Sequence, residues 1–337
     1  MFKRISFLIT FLIVLVLVVA GGFWSGGATD SVQPAVAPGA VEAQTANQPA
    51  EAAVSKEADW QKQPEQQSQP VKKQKWYDNQ VVVLTYHHVS NKTDRQYEIS
   101  PSELKAHLDF LREYDFHPIS LTEFLRFVDT GVLATENAVL LTFDDGYESY
   151  YSEAFPLLQQ YGYPSVNFLI AGRLRDSVDR KRPNMTTPLS EQEVNELLAS
   201  GLSDIGSHTY SLHEQAEKNE WGDLTPQTAP VYLEDLSRLE NEQEYRDRLY
   251  VDFMMSRVAL SQIAKKEIRV ISYPFGFSNE TVTETAKQAG YQYAFNSRPD
   301  VVKAGTNRFE LPRYDVGMHT FDTQKLLELF TKVKTGF

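Results

Sequence analysis

Three patterns of apolar and polar residues divide the 337-residue chain. From Ile5 to Ala20 the run is apolar, interrupted only by Ser6 and Thr10. From about Thr29 to Lys75 no apolar period is visible, and Ala, Gln, Pro, Glu and Lys dominate. From residue 76 onward, short apolar runs alternate with stretches where apolar residues recur every three or four positions. Runs of the first kind predict strands buried on both faces, and the spacing of the second predicts amphipathic helices.

In the third region, Val81 to Tyr86 is a continuous β-branched and apolar run and reads as a strand. Ser100-Pro101-Ser102-Glu103 is a helix start, with Ser as N-cap, Pro at the first helical position and Glu at the third. Ser120-Leu121-Thr122-Glu123 and Ser190-Glu191-Gln192-Glu193 repeat the capping pattern. Further strands are expected over 138–143, 165–170, 204–207, 268–273 and 293–295. Further helices are expected over 151–161, 250–266 and 281–289, with Gly162 and Gly290 following two of them. A charged stretch over about 214–250, containing Pro226 and Pro230, reads as an insertion with some helix that could line a groove. Strands alternating with helices in this way imply a parallel α/β sheet with helices outside it, open or closed into a barrel. No internal repeat is apparent.

The first two regions are a different object. Lys3 and Arg4 precede an apolar stretch that Gly21 to Trp24 extend to about 20 residues, long enough to cross a bilayer as a helix. The basic pair keeps the N-terminus cytoplasmic. Residues 1–24 are therefore expected to be an uncleaved single-pass anchor. The alternative is a signal peptide cut near Gly26-Gly27-Ala28, which would give a secreted protein. Residues 25–75 cannot bury enough apolar surface to fold and read as a linker spanning roughly 40 Å. Residues 76–337 then form one extracellular domain.

Composition narrows the chemistry. With no cysteine, a thiol nucleophile, a thiolate metal site and a lipid-bearing cysteine are excluded, so any metal must sit on nitrogen and oxygen ligands. The formal net charge of −12 argues against a nucleic-acid partner. Residues 1–75 hold seven basic and six acidic residues, leaving 26 basic and 39 acidic residues in the remainder.

The polar residues that could do chemistry cluster at predicted strand ends. Thr142-Phe143-Asp144-Asp145-Gly146 follows a buried strand. It is either a plain Asp-Gly turn or two adjacent carboxylates that need a cation beside them. His208 and His213 bracket Thr209-Tyr210-Ser211-Leu212 and can face one ion only if the loop between them curls. One carboxylate with two imidazoles is a donor set suited to a hydrolytic metal. Tyr273-Pro274-Phe275-Gly276 is a turn or a rigid aromatic lip, and His319 stands alone near the end of the chain.

In this order these pieces resemble the NodB-homology polysaccharide deacetylases, carbohydrate esterase family 4, over roughly 80–325. Tyr86-His87-His88 is similar to the Tyr-His pair that opens many members. The resemblance implies a distorted (β/α)7 barrel and hydrolysis of N-acetyl groups on glycans. It implies Asp144 as general base, and Asp145, His208 and His213 as ligands of a divalent metal, zinc first, with cobalt or nickel also accepted by such donors. It further implies His319 as general acid and the Phe275 N–H as oxyanion donor.

Three departures matter. The histidine spacing is five where four is usual, and the His-Thr-Tyr-x-Leu-His run is similar to the branch acting on poly-β-1,6-N-acetylglucosamine, the intercellular-adhesin deacetylases. Ser272 stands where most members carry the Arg that pairs with the base. The Asp/Trp motif that orients the acid is not recognisable, and Asp315 or Arg313 is the candidate substitute. The expected activity is therefore N-deacetylation of an N-acetylglucosamine polymer, β-1,6-linked in preference to peptidoglycan, by a monomer held at the membrane. An acetyl-xylan esterase and a catalytically degenerate glycan-binding module are the other readings.

Overall fold

The computed structural model describes residues 74–92, 95–174 and 186–336. The expected anchor at 1–24, and the linker at 25–75 apart from its last two residues, lie outside the described residues. Among the described residues no helix is long and apolar enough to cross a membrane.

The strands that build the main sheet are β1 (Gln80–Tyr86), β2 (His117–Pro118), β3 (Ala138–Phe143), β4 (Ser165–Leu169), β5 (Ser203–Ser207), β6 (Val270–Ser272), β7 (Tyr293–Phe295), β8 (Val302–Lys303) and β9 (Tyr314–Asp315). Their order is β7-β6-β5-β4-β3-β1-β8, with β9 also on β1 and β2 on β3. All pairings are parallel except β8 with β1. The segment just before β9 also bridges the far edge, where Leu311 pairs in parallel with Phe295. Leu311 N–H donates to Ala294 C=O at 2.9 Å, and Val316 N–H donates to Thr85 C=O at 3.1 Å. One stretch of chain therefore touches β7 on one side and β1 on the other, and the sheet curls round to meet itself. This parallel β/α arrangement agrees with the expected fold class.

Both faces of the strands are buried, as the continuous apolar runs predict. One apolar cluster takes alternate residues Val81, Val83, Leu140, Val166, Phe168, Val270, Phe295 and Leu311, together with Phe124 and Phe127 from helix α2 (Leu121–Thr130). The intervening residues Val82, Leu84, Val139, Leu141, Ile205 and Ile271 belong to a second cluster with the outer helices. These helices include α1 (Pro101–Glu113), α3 (Phe155–Tyr161), α4 (Glu191–Ala199), α5 (Glu242–Ala264), α6 (Glu280–Gln288) and α7 (Thr323–Thr335). The capping boxes expected at Ser100 and Ser190 are formed, and Ser120 caps α2.

Two expectations are corrected. The helix expected over 151–161 is regular only from Phe155, because Tyr150–Ala154 forms a wider π turn in which Phe155 N–H donates to Tyr150 C=O. Pro156 follows at once, and a proline ring crowds the carbonyl four residues back, so the preceding turn opens. In the 214–250 insertion, the first part is two small antiparallel hairpins. Gln215–Glu217 pairs with Leu224–Pro226, and Tyr232–Leu233 pairs with Arg238–Leu239. Helix α5 then starts at Glu242, well before Tyr250, under a capping box of Asn241 and Glu244.

Candidate active site

The chemistry follows from strand parity. Residues of one strand point alternately to opposite faces. On β1 the inward series Val81, Val83, Thr85 runs on to His87, and on β3 Leu140 and Thr142 run on to Asp144. Leu311 continues to Arg313 and Asp315, Val270 to Ser272, and Gly206 to His208. Thr85 and Thr142 mark where the inward face turns polar, with hydroxyls 3.1 Å apart. Above them, at the carboxyl ends of the strands, His87, Asp144, Asp145, Tyr147, His208 and His213 line a cavity of about 330 Å³. None of residues 214–250 lines it, so the insertion is not a wall of this cavity.

Asp144 is buried against Arg313, whose Nη1 and Nη2 each donate to one carboxylate oxygen at 2.8 Å. Ser272 Oγ donates to Asp144 Oδ2 at 3.2 Å and accepts from Arg313 Nη2 at 2.8 Å. The guanidinium that the sequence lacks at position 272 thus arrives from position 313, and Ser272 leaves room for it. Arg313 does not orient a histidine, as the sequence allowed; it holds Asp144. Burial alone would raise the Asp144 pKa, but Arg313, followed by His208, outweighs it and holds the carboxyl at about 2.

Asp145, His208 and His213 offer one ligand atom each within 4.8 Å of one another. Asp145 Oδ1 lies 3.0 Å from His213 Nε2 and 3.5 Å from His208 Nε2, without the alignment of a hydrogen bond to any partner. His208 Nδ1 is 2.8 Å from the Ser272 carbonyl oxygen, so Nδ1 carries the proton and Nε2 turns its lone pair toward Asp145. Burial pushes the His208 pKa down to about 4, which keeps the ring neutral. Burial pulls His213 the same way, but the facing Asp145 carboxylate outweighs it and raises that pKa. An orphaned buried carboxylate oxygen facing two imidazole nitrogens fits a divalent cation. Asp145 has φ of 74°, an unusual left-handed conformation for a residue that is not glycine.

His319 does not reach this cavity. Its ring is 59% exposed, with Nδ1 2.5 Å from Glu103 Oε1 at the start of α1. The geometry separates it from the reacting groups that the resemblance assigned it to. His87 occupies the wall instead, with Nδ1 3.8 Å from Asp315 Oδ1. Both of these atoms are buried, and neither has a hydrogen-bond partner among the described residues. The signal for His87 was present in the alternation Val81, Val83, Thr85, His87, which carries its side chain inward beside Asp144. Phe275 does line the cavity, stacked on His213 with ring centroids 4.9 Å apart. Its backbone sits at φ of 57°, and its N–H has no acceptor among the described residues.

The polysaccharide deacetylase family model matches residues 132–294. The poly-β-1,6-N-acetyl-D-glucosamine N-deacetylase of Escherichia coli K12 is 28% identical over 251 residues, covering 72% of this chain and 37% of that protein. The chain thus spans little more than a third of that relative's length. The protein of the same name from Staphylococcus aureus MRSA252 is 25% identical over 267 residues, covering 75% of this chain and 84% of that one. Among solved structures, a de-N-acetylase from Aggregatibacter actinomycetemcomitans superposes with a TM-score of 0.66 at 28% identity, covering 74% of this chain and 99% of that one. IcaB from Ammonifex degensii superposes at 0.62 with 26% identity, covering 75% and 97%. With the strand-end site and the parallel fold in place, residues 132–294 carry a polysaccharide deacetylase domain match, and the chain is similar in sequence and fold to these deacetylases.

Proposed function

We propose that this protein is a metal-dependent N-deacetylase of N-acetylglucosamine polymers, with the β-1,6-linked polymer as its preferred substrate. The observation that carries the reading is the meeting of an ionised carboxylate, an Asp-His-His donor set and a braced histidine in one cavity. The names of the relatives from Escherichia coli and Staphylococcus aureus support the choice of polymer.

A divalent ion held by Asp145, His208 and His213, zinc first, supplies positive charge that polarises an amide carbonyl and acidifies water. The chain's own residues manage the protons. Asp144, kept ionised by Arg313, accepts the proton of the attacking water as its oxygen bonds to the acetyl carbon. The Phe275 N–H offers a hydrogen bond to the oxygen that gains charge. His87, with Asp315 behind it, delivers a proton to the nitrogen as the C–N bond breaks, giving acetate and a free amine. Asp315 stands behind the ring, with Oδ1 3.8 Å from Nδ1.

Acetate release by the full chain from a β-1,6-linked N-acetylglucosamine oligomer, with zinc added, tests the reading. Release from peptidoglycan alone would reassign the polymer, and release from neither, with no metal bound, would leave a glycan-binding module. The protein is further proposed to act outside the membrane, with residues 1–24 as anchor and 25–75 as tether. Sedimentation of the full chain with membranes, and loss of that association on deleting residues 1–24, is the expected result.

A further inference from the structure

The loop between the two ligand histidines does not hold its own shape. Thr209 is β-branched, fully buried and at φ of 71°, a left-handed conformation that such residues adopt only when their surroundings impose it. Four consecutive N–H groups, from Thr209 to Leu212, all donate to side chains. Thr209 N–H goes to Ser207 Oγ at 3.1 Å, and Leu212 N–H goes to Thr209 Oγ1 at 3.1 Å. The two in the middle go to one residue, since Tyr210 N–H reaches Asp252 Oδ1 and Ser211 N–H reaches Asp252 Oδ2, each at 2.8 Å. The Ser211 hydroxyl adds a third bond to Asp252 Oδ2 at 3.0 Å.

Asp252 lies on α5 and is only 6% exposed. One turn further along, Ser256 Oγ is 2.8 Å from Ser207 Oγ. On the other side of the loop, Ala171 and Gly172 N–H groups donate to the Thr209 and Tyr210 carbonyls at 3.0 and 2.8 Å. A Cβ on Gly172 would come within 2.5 Å of the Tyr210 carbonyl oxygen, so only glycine permits that approach. The two ligand rings differ in how they are held. His208 is fixed by its own bond to the Ser272 carbonyl, whereas His213 relies on the loop and on stacking against Phe275.

We infer that Asp252 is a positioning residue for the metal centre, closing the 208–213 loop so that two imidazoles at a spacing of five face one carboxylate. The inference rests on the reading of Asp145, His208 and His213 as metal ligands. A loop whose central N–H groups lost their acceptor would relax, and His213 would move first.

The test is zinc titration of the full chain, stripped of metal, in competition with a chromophoric chelator. Asp252→Asn places an amide NH₂ against one of the loop N–H groups and is expected to weaken zinc binding by about tenfold or more. Ser211→Ala, at an exposed position, removes one of the three bonds and is expected to weaken binding by a smaller factor. Leu260→Ala, buried about two turns beyond Asp252 on the same helix, is expected to lower Tm and leave zinc affinity as in the wild type. Unchanged affinity in Asp252→Asn, or equal weakening in Leu260→Ala, overturns the inference while the metal reading stands. A wild type that binds no zinc overturns both. If Asp252→Asn fails to fold, Ser211→Ala decides in the same way.

Discussion

Arg313 and Asp144 meet through two parallel hydrogen bonds of 2.8 Å, although 169 positions separate them in the chain. Arg313 is only 2% exposed, and every nitrogen of its guanidinium is used, since Nε donates to the Asn296 carbonyl at 3.0 Å. The rings of Phe168 and Phe295 lie 5.6 and 5.9 Å from its Cζ. A planar fork of this kind satisfies a buried carboxylate in a way that a single ammonium cannot.

Removing the fork should therefore be costly. Arg313→Ala leaves a buried carboxylate unpaired and is expected to destabilise the fold by about 3–5 kcal/mol, read from denaturant unfolding. Arg313→Lys keeps a charge but loses the bidentate geometry. Asp144 now sits at about 2, so weakening its partner lets burial push the value up and the base stays protonated to higher pH. The acid limb of the pH–rate profile should move to higher pH in Arg313→Lys, and an unmoved limb would speak against Asp144 as the base.

His87 and His319 should behave oppositely. His87→Ala is expected to lower kcat by about 10²- to 10⁴-fold, the usual worth of a positioned proton donor. His319→Ala, exposed and paired with Glu103, is expected to change kcat by less than about twofold and stability by roughly the 0–1 kcal/mol of a surface pair. The reverse result would return the proton-donor role to His319.

Metal should stabilise the fold as well as serve the reaction. A ligand that binds only the native state adds about 2.7 kcal/mol when its concentration is 100 times Kd. Chelation is expected to lower Tm and zinc to restore it. In Asp145→Asn and His213→Ala the response to zinc should largely disappear. A Tm shift equal to that of the wild type in both variants would remove them from the ligand set.

A separate pH effect is expected at His107, on the buried face of α1. Its ring is buried, with Nε2 2.7 Å from the Phe321 carbonyl and Nδ1 3.2 Å from the Tyr86 hydroxyl. Burial lowers its pKa below the ordinary 6.5. The unfolded chain therefore binds this proton more readily than the folded one, and stability should fall as pH drops through and below 6.5. In His107→Gln the loss of stability between pH 7 and 5, followed by denaturant midpoint, should be shallower than in the wild type.

The elements of the domain are legible in the sequence wherever period and caps agree. Ser100 with Glu103 and Ser190 with Glu193 start helices as their spacing says. Asn241 with Glu244 is the same signal, and it lies within the charged 214–250 stretch that reads as an insertion with some helix. Asp144, Asp145, His208 and His213 stand out because rare residue types crowd at strand ends. His87 is less visible because a histidine after a strand is common, and only its parity with Val81, Val83 and Thr85 distinguishes it. His319 lies away from the cavity for a complementary reason. Its position in the order of motifs matched, but Gly317 and Met318 carry the chain past the cavity to Glu103.

Legible in the sequence alone were the long core strands, the helices that start at Ser100, Ser120 and Ser190, the nitrogen and oxygen character of any metal site, and the four residues that crowd at strand ends. Those properties depend on neighbours within a few positions, where backbone geometry alone relates one side chain to the next. Only the tertiary structure decided that Arg313 serves Asp144, that His87 faces Asp315, and that Asp252 shapes the histidine loop. Each of these pairs joins separate strands or helices, and their meeting depends on strand order, inward parity and the curl that brings Leu311 against Phe295. No local pattern encodes that closure, because it arises from burying both faces of the sheet at once.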